Sequence, residues 1–177
     1  MEIATDVTEV RLDDPAAFRA FYADALPIVY SFFYHRVGGR RVVAEDLTQE
    51  TFMAAVQEIK ARASVDAPVP WVMGIARHKL LDHYRREERE ERRLALAFTA
   101  ATEGPELDPG VASNEEALAA LAKVPASQRA ALALRYLDGL SVPEVAHALG
   151  RTVHATESLL ARGRVSFRRA LQEARDD

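Results

Sequence analysis

The side chains best suited to metal binding or acid–base work gather in two places. Glu45, Asp46 and Glu50 lie in one segment, and His78, Asp82 and His83 in another. On a helix His78 and Asp82 stand four residues apart and could share a metal ion. His83 projects about 100° away from Asp82 around the same helix, so the three do not converge. The chain has no His-Asp dipeptide in metal-phosphohydrolase order, no Gly-rich phosphate loop and no Gly-x-Ser-x-Gly elbow. Cysteine is absent, which excludes a thiol nucleophile, a disulfide framework, Cys-ligated iron–sulfur clusters and Cys-based zinc sites. No catalysis, cofactor or resident metal is expected. Asp46, Gln49 and Glu50 admit a different chemistry. At i, i+3 and i+4 they share one helix face, which can present carboxylates to arginines of a protein partner. An ordinary solvated acidic face has the same pattern.

A second chemistry lies near the C-terminus. Residues 151–169 hold five Arg and one Glu. Gly139 ends one helix, and Ser141-Val142-Pro143-Glu144 opens the next as a capping box with proline in its first turn. Ala146 and Leu149 face inward, Gly150 supplies a turn, and Thr152 caps a longer helix with the stripe Thr156, Leu160, Gly163, Phe167 and Leu171. A short helix, a turn of three or four residues and a longer helix make a helix-turn-helix, whose second helix enters the major groove N-terminus first. That places His154, Ala155, Glu157 and Ser158 at bases, with Arg151 and Arg162, and more weakly Arg164, at phosphates. A plain helical hairpin with a solvated Arg-rich last helix fits this stretch too.

The elements that position these groups are helical nearly throughout. Phe18, Tyr22, Leu26, Val29 and Phe33 form one amphipathic stripe; Pro27 should kink or break that helix, and Gly38-Gly39 ends it. A second helix runs from near Val42 to about Arg62 and carries Leu47, Phe52 and Val56. Ala63 to Pro70 reads as a loop, and a third helix starts near Trp71 and continues into a mixed-charge end, Arg85 to Arg93. No alternating β-branched run is long enough for a strand. Residues 95–112 are rich in Ala, Thr, Gly and Pro, contain Gly104-Pro105 and Pro109-Gly110, and read as an acidic flexible linker. Ser113-Asn114-Glu115-Glu116 then forms a capping box. The expected fold is all-α: two small helical domains, 1–94 and 113–177, joined by 95–112. Each core is worth only a few kcal/mol, so each domain depends on partners for rigidity.

The formal net charge is −4 and the pI about 5.8, which argues against a freestanding nucleic-acid binder. The acid, however, sits in an end and the connector: residues 94–122 hold five acids and no Lys or Arg. The N-terminus is acidic where a secretory signal would be basic, and no apolar run approaches a membrane span. A cytoplasmic protein without stable membrane insertion is expected.

Three blocks in order make the sequence resemble a known family. Ala44-Glu45-Asp46-Leu47-Thr48-Gln49-Glu50-Thr51-Phe52 resembles the Asp-x-x-Gln-Glu-x-Phe signature of sigma-70-family transcription initiation factors. Trp71 to Arg86 resembles the next block of the compact extracytoplasmic-function group, and the helix-turn-helix, with Gly139-Leu140-Ser141 and Glu144-Val145-Ala146, completes the set. The similarity covers roughly residues 15–94 and 113–172. It implies an N-terminal region 2 bundle, a C-terminal region 4 helix-turn-helix, and core RNA polymerase, promoter DNA and an anti-sigma factor as partners. Polymerase would be met through its β′ coiled coil, by Asp46, Gln49 and Glu50, and through its β flap.

The same resemblance places the third helix at the minus-ten element. There Trp71 and Tyr84 would offer aromatic faces, Arg77, Lys79, Arg85 and Arg86 cations, and His78 a polar contact where many relatives carry Asn. Arg151, His154, Ala155, Glu157, Ser158 and Arg162 would meet the minus-thirty-five element. Relatives often carry Lys and Arg where this chain has Glu157 and Leu159. Glu157 could accept from a cytosine amine and Leu159 could touch a thymine methyl, or this helix could serve partly as a protein-binding face. Glu87, Glu88, Glu90 and Glu91 are expected to form exposed intrahelical pairs with neighbouring Arg. A helix-turn-helix regulator independent of polymerase accounts for residues 113–172 and leaves the Asp46 block without a role.

Overall fold

The computed structural model describes residues 10–62, 64–94 and 113–176. The first helical unit begins with β1 (Val10–Arg11), which pairs antiparallel with β2 (Ser64–Val65). Two residues per strand are too few to leave an alternating pattern in a sequence. Helix α1 spans Pro15–Arg36; Asp14 caps it, its carboxylate accepting from the Ala17 N–H at 2.8 Å, and proline at the first helical position has no N–H to satisfy. The helix runs through Pro27 without a break. Pro27 lies on the exposed side, where water can take up the carbonyl that the ring leaves unbonded.

Helix α2 (Arg41–Arg62) follows the Gly38-Gly39 turn, and α3 (Pro68–Leu94) starts one turn earlier than the sequence suggests. Pro68 and Pro70 fall in the first turn of α3, where backbone N–H groups have no intrahelical acceptor, so neither proline interrupts it. The three helices enclose Phe21, Ala25, Val29, Phe33, Leu47, Phe52, Ile59, Val72, Leu80 and Tyr84. Thr48 and Thr51 are buried in this core, each hydroxyl donating to the carbonyl four residues back, of Ala44 and Leu47 respectively.

The second unit comprises α4 (Asn114–Lys123), α5 (Ala126–Leu132), a π-helical turn (Ala133–Leu137), α6 (Val142–Leu149) and α7 (Val153–Asp176). Both expected capping boxes form. Ser113 and Glu116 exchange hydrogen bonds at the start of α4, and Glu144 accepts from both the N–H and the hydroxyl of Ser141 at the start of α6. Helix α7 packs on α4, α5 and α6 around Leu121, Leu132, Leu134, Val145, Leu159 and Leu160. At Gly163 a Cβ would lie 3.2 Å from Leu132 Cγ, so glycine lets α5 approach α7 closely.

The two units are in contact, α3 lying against α5 and α6. Ala130 and Ala133 of the second unit join the core of the first, and Leu81 of α3 packs on the core of the second. The Gly38 turn (φ 71°) abuts α4, where a Cβ would stand 2.5 Å from the Ala122 nitrogen. The connector expected at 95–112 lies outside the described residues. The mixed-charge end of α3 corrects the sequence reading. Glu90–Arg93 and Glu88–Arg92 are intrahelical pairs, but Glu87, Glu88 and Glu91 also reach across to the second unit. Their partners lie 35 to 63 residues away in sequence.

Candidate nucleic-acid interface

Leu47 and Phe52 anchor α2 in the core, and the opposite side of the helix carries Asp46 and Gln49, both exposed. Glu50 is turned toward α3, where its carboxylate oxygens lie 3.6 Å from Lys79 Nζ and 3.8 Å from Arg86 Nη2. The expected three-residue face therefore divides. Asp46 and Gln49 point to solvent, while Glu50 enters a shallow, charged cleft of about 330 Å³ with Lys79, Asp82, Arg85, Arg86 and Arg89.

On α3 the buried face is Val72, Ala76, Leu80 and Tyr84, at spacings of four. The outward face follows from that. Trp71, His78, Asp82, Arg85 and Arg89 fall near one line along the helix, with Lys79 and Arg86 beside them, and Arg77 about 100° round from His78. Arg77, His78, Arg85 and Arg86 are exposed and Lys79 is half-buried. Trp71 is half-buried; its indole N–H donates to Glu58 at 3.2 Å and its ring sits 6.3 Å from that of Phe21. One part of the ring packs, and the remainder faces solvent.

Tyr84 is the departure. Only 2% exposed, it has no free ring face for a base in this arrangement. Its hydroxyl donates to the Arg36 carbonyl at 3.0 Å, and burial pushes its phenol above the ordinary range. A buried hydroxyl with a backbone partner is a packing group, and the aromatic periodicity of α3 alone does not distinguish that from a base platform.

In the second unit, Gly150 (φ 64°) ends α6 in the left-handed conformation, and Thr152 caps α7, its hydroxyl accepting from the Ala155 N–H at 3.2 Å. His154, Glu157, Ser158 and Arg162 then share one exposed face at i, i+3, i+4 and i+8; Ala155 is half-buried beside them. Arg162 donates to the Ser158 carbonyl at 3.3 Å. Leu159 is 3% exposed and part of the core, so it cannot reach a thymine methyl in this arrangement. It falls on the inward side because Thr156, Leu160 and Gly163, which flank it on the helix surface, are the residues α7 buries. Arg151 is half-buried and engaged by Glu88 of α3.

The sequence reading missed two features. Tyr22 and Met53 are exposed, and with Phe18, Leu26, Thr48, Phe52 and Val56 they line an apolar groove between α1 and α2; the groove is invisible to a periodicity that treats Phe18, Tyr22 and Leu26 as core. The second is a charge cluster centred on Glu87. Its carboxylate accepts from Arg40 Nη1 at 2.6 Å and from Arg129 Nη2 at 2.7 Å, with His83 Nε2 3.1 Å away. Burial raises its pKa, but the adjoining His83 ring, the hydrogen bond from Arg40 and the charge of Arg129 outweigh this and hold it well below the usual carboxylate range. Among the described residues no three His, Asp or Glu side chains converge as a metal site, and no helix is long and apolar enough to cross a membrane.

Comparison with known proteins gives a consistent result. Residues 21–90 match the family model described as Sigma-70 region 2, and residues 114–167 that described as Sigma-70, region 4. The ECF RNA polymerase sigma factor BldN of Streptomyces coelicolor is 29% identical over 94% of this chain, which spans 65% of that protein's length. SigF of Caulobacter vibrioides, also described as an ECF sigma factor, is 32% identical over 84% of this chain and 82% of its own. SigD of Mycobacterium tuberculosis, so described too, is 31% identical over 97% of this chain and 81% of its own.

Proposed function

Because the chain belongs to the extracytoplasmic-function group of sigma-70 factors, we propose that it joins core RNA polymerase in the cytoplasm and directs it to a particular set of promoters. It acts by binding, with no catalytic step of its own. The domain division is 1–94 for polymerase and the minus-ten element, 95–112 as connector, and 113–177 for the minus-thirty-five element.

The observation that carries this reading is the pairing, within one three-helix unit, of an acid–amide face with an aromatic and cationic one. Asp46 and Gln49 stand on the outside of α2 as polar contacts for the β′ coiled coil, with Glu50 at the edge of that face. On α3 the outward edge of Trp71 offers a stacking surface, and Arg77, His78, Lys79, Arg85 and Arg86 supply donors and positive charge for a separated strand. Tyr84 supports α3 from inside. The helix-turn-helix presents His154, Glu157, Ser158 and Arg162 to the major groove, with Arg151 at a phosphate and Ala155 at the edge of the contact. A regulator acting without polymerase would have no use for the outer face of α2. The β flap and an anti-sigma protein complete the partners.

In vitro transcription with core polymerase on a promoter library tests the proposal. Factor-dependent transcripts sharing two spaced sequence elements support it; the absence of any factor-dependent transcript, with inhibitor-free protein, refutes it.

A further inference from the structure

The groove between α1 and α2, about 730 Å³, is lined by those two helices alone. Phe18, Tyr22 and Leu26 form one wall, and Phe52, Met53 and Val56 the other. Tyr22 is 38% exposed and Met53 57%, so both project from the walls instead of packing into them. The Tyr22 ring stands edge-on to that of Phe52 at 4.7 Å, which gives the groove a fixed aromatic middle. Its two ends are oppositely charged. Glu45 lines one end and Lys60 the other, fifteen residues or about 22 Å apart along α2. Both are exposed, and neither pairs with another charged side chain among the described residues.

An acid at one end and a base at the other make this surface complementary to itself. A two-fold axis through the middle of the groove, normal to α2, sets the α2 helices of two copies antiparallel. It carries Glu45 of each copy onto Lys60 of the other, and one contact is thereby used twice. The midpoint between positions 45 and 60 falls between Phe52 and Met53. The projecting Met53 of one copy then meets Tyr22 and Phe52 of the facing copy, a thioether against aromatic rings. A helix from a different protein would have to supply a base and an acid at this same spacing, whereas this chain carries both on the groove itself. Two helices about 20 Å across and 22 Å long bury about 1,000 Å² in total, the size of a weak and reversible contact.

We propose that the α1–α2 groove is the interface of a reversible homodimer, in which two copies pack antiparallel about Met53 with Glu45 on Lys60 at each end. Gln49 lines the same groove and Asp46 adjoins Glu45, so the dimer covers the outer face of α2. A copy held in the dimer is therefore closed to polymerase. That consequence rests on the reading of Asp46 and Gln49 as polymerase contacts; the dimer itself does not. Self-association then limits the factor by its own abundance, since surplus copies pair with one another and core polymerase draws on the monomer. At a total concentration about ten times the dimer Kd, about a fifth of the copies are monomeric, and apparent affinity for core is about fivefold weaker.

Sedimentation velocity of the full chain without polymerase, from about 1 to about 100 μM, tests the dimer. The average mass should rise from 19.6 kDa toward twice that value. Glu45→Lys and Lys60→Glu each put like charges at both ends and should weaken the dimer about tenfold. An equimolar mixture of the two variants should regain wild-type association, because every Lys then meets a Glu. That rescue separates the antiparallel contact from general damage to the fold. Asp24→Lys makes the same charge change about 180° round α1 from the groove and should leave association as it is. Core polymerase added to the wild-type dimer should yield complexes with one copy each. A wild-type chain that stays monomeric throughout overturns the proposal and leaves the groove to another protein's helix. Single variants as dimeric as wild type, or a mixture no more dimeric than its parts, overturn this interface whatever the transcription assay gives. Core complexes holding two copies overturn the competition with polymerase.

Discussion

Arg129 Nη2 donates to Glu87 Oε2 at 2.7 Å across the boundary between the two helical units, with the Arg129 side chain only 5% exposed. Arg129 also donates to the Val124 carbonyl at 2.8 Å, and Glu87 accepts from Arg40 as well. The guanidinium thus ties α5, the end of α4 and the charged C-terminal part of α3 together. A charge so thoroughly removed from water is tolerable only while its partner is ionised.

Glu87 is therefore the most sensitive position at the junction. Glu87→Gln leaves Arg129 without its counter-charge and should destabilise the chain by about 3 kcal/mol, read as a lowered denaturation midpoint. Folding lowers the pKa of Glu87, so its contribution is fully present above the unfolded value near 4.5 and is lost as pH falls below it toward the folded value. Between pH 6 and pH 3 the gap between the midpoints of wild type and Glu87→Gln should begin to narrow below about pH 4.5. A constant gap would contradict this.

Gly38→Ala should disturb the same boundary through the backbone. The position has φ 71°, and the new methyl would meet the Ala122 backbone at 2.5 Å. The left-handed conformation alone costs about 1–2 kcal/mol, and the clash adds to it. The thermal midpoint should fall and amide exchange should accelerate at the end of α4. A midpoint lowered with no change in amide exchange at the end of α4 would mean the turn and α4 do not touch in solution.

Tyr84→Phe should separate packing from base contact. Loss of the hydroxyl leaves the Arg36 carbonyl unpaired and should cost about 1 kcal/mol. Promoter opening, followed with a fluorescent base at the minus-ten element, should be unchanged. A slowed opening step at unchanged stability would return Tyr84 to the DNA face.

Glu157 is exposed at the front of α7, where it would repel phosphate. Glu157→Lys should raise duplex affinity at low salt and steepen the slope of log affinity against log salt by about 1. A fall in affinity confined to one promoter sequence would identify Glu157 as a reader of a base.

The legible parts of this molecule are those written locally. Ser113 with Glu116, Ser141 with Glu144, Gly150 and Thr152 each act within three or four residues, so spacing alone places the helix ends and the helix-turn-helix. The exposure of Asp46, Gln49, His154 and Glu157 follows from helical period in the same way. Three things were not legible. Tyr84 and a base-stacking tyrosine occupy the same helical register until the neighbouring helices are in place. Tyr22 reads as core with Phe18 and Leu26, which do pack on it, because an apolar stripe does not say where its covering element stops. Glu87 and Glu88 read as surface pairs because arginines three and four residues away are plausible partners, whereas Arg129 and Arg151 are 42 and 63 residues distant.

The outer face of α2 is the surface by which the chain would grip polymerase. Purified, inhibitor-free chain mixed with bacterial core RNA polymerase should co-elute with it in size-exclusion chromatography, and an Asp46→Ala, Gln49→Ala variant with an unchanged denaturation midpoint should lose most of that association. Failure of the wild-type chain to co-elute, or undiminished binding by the double variant, would contradict it.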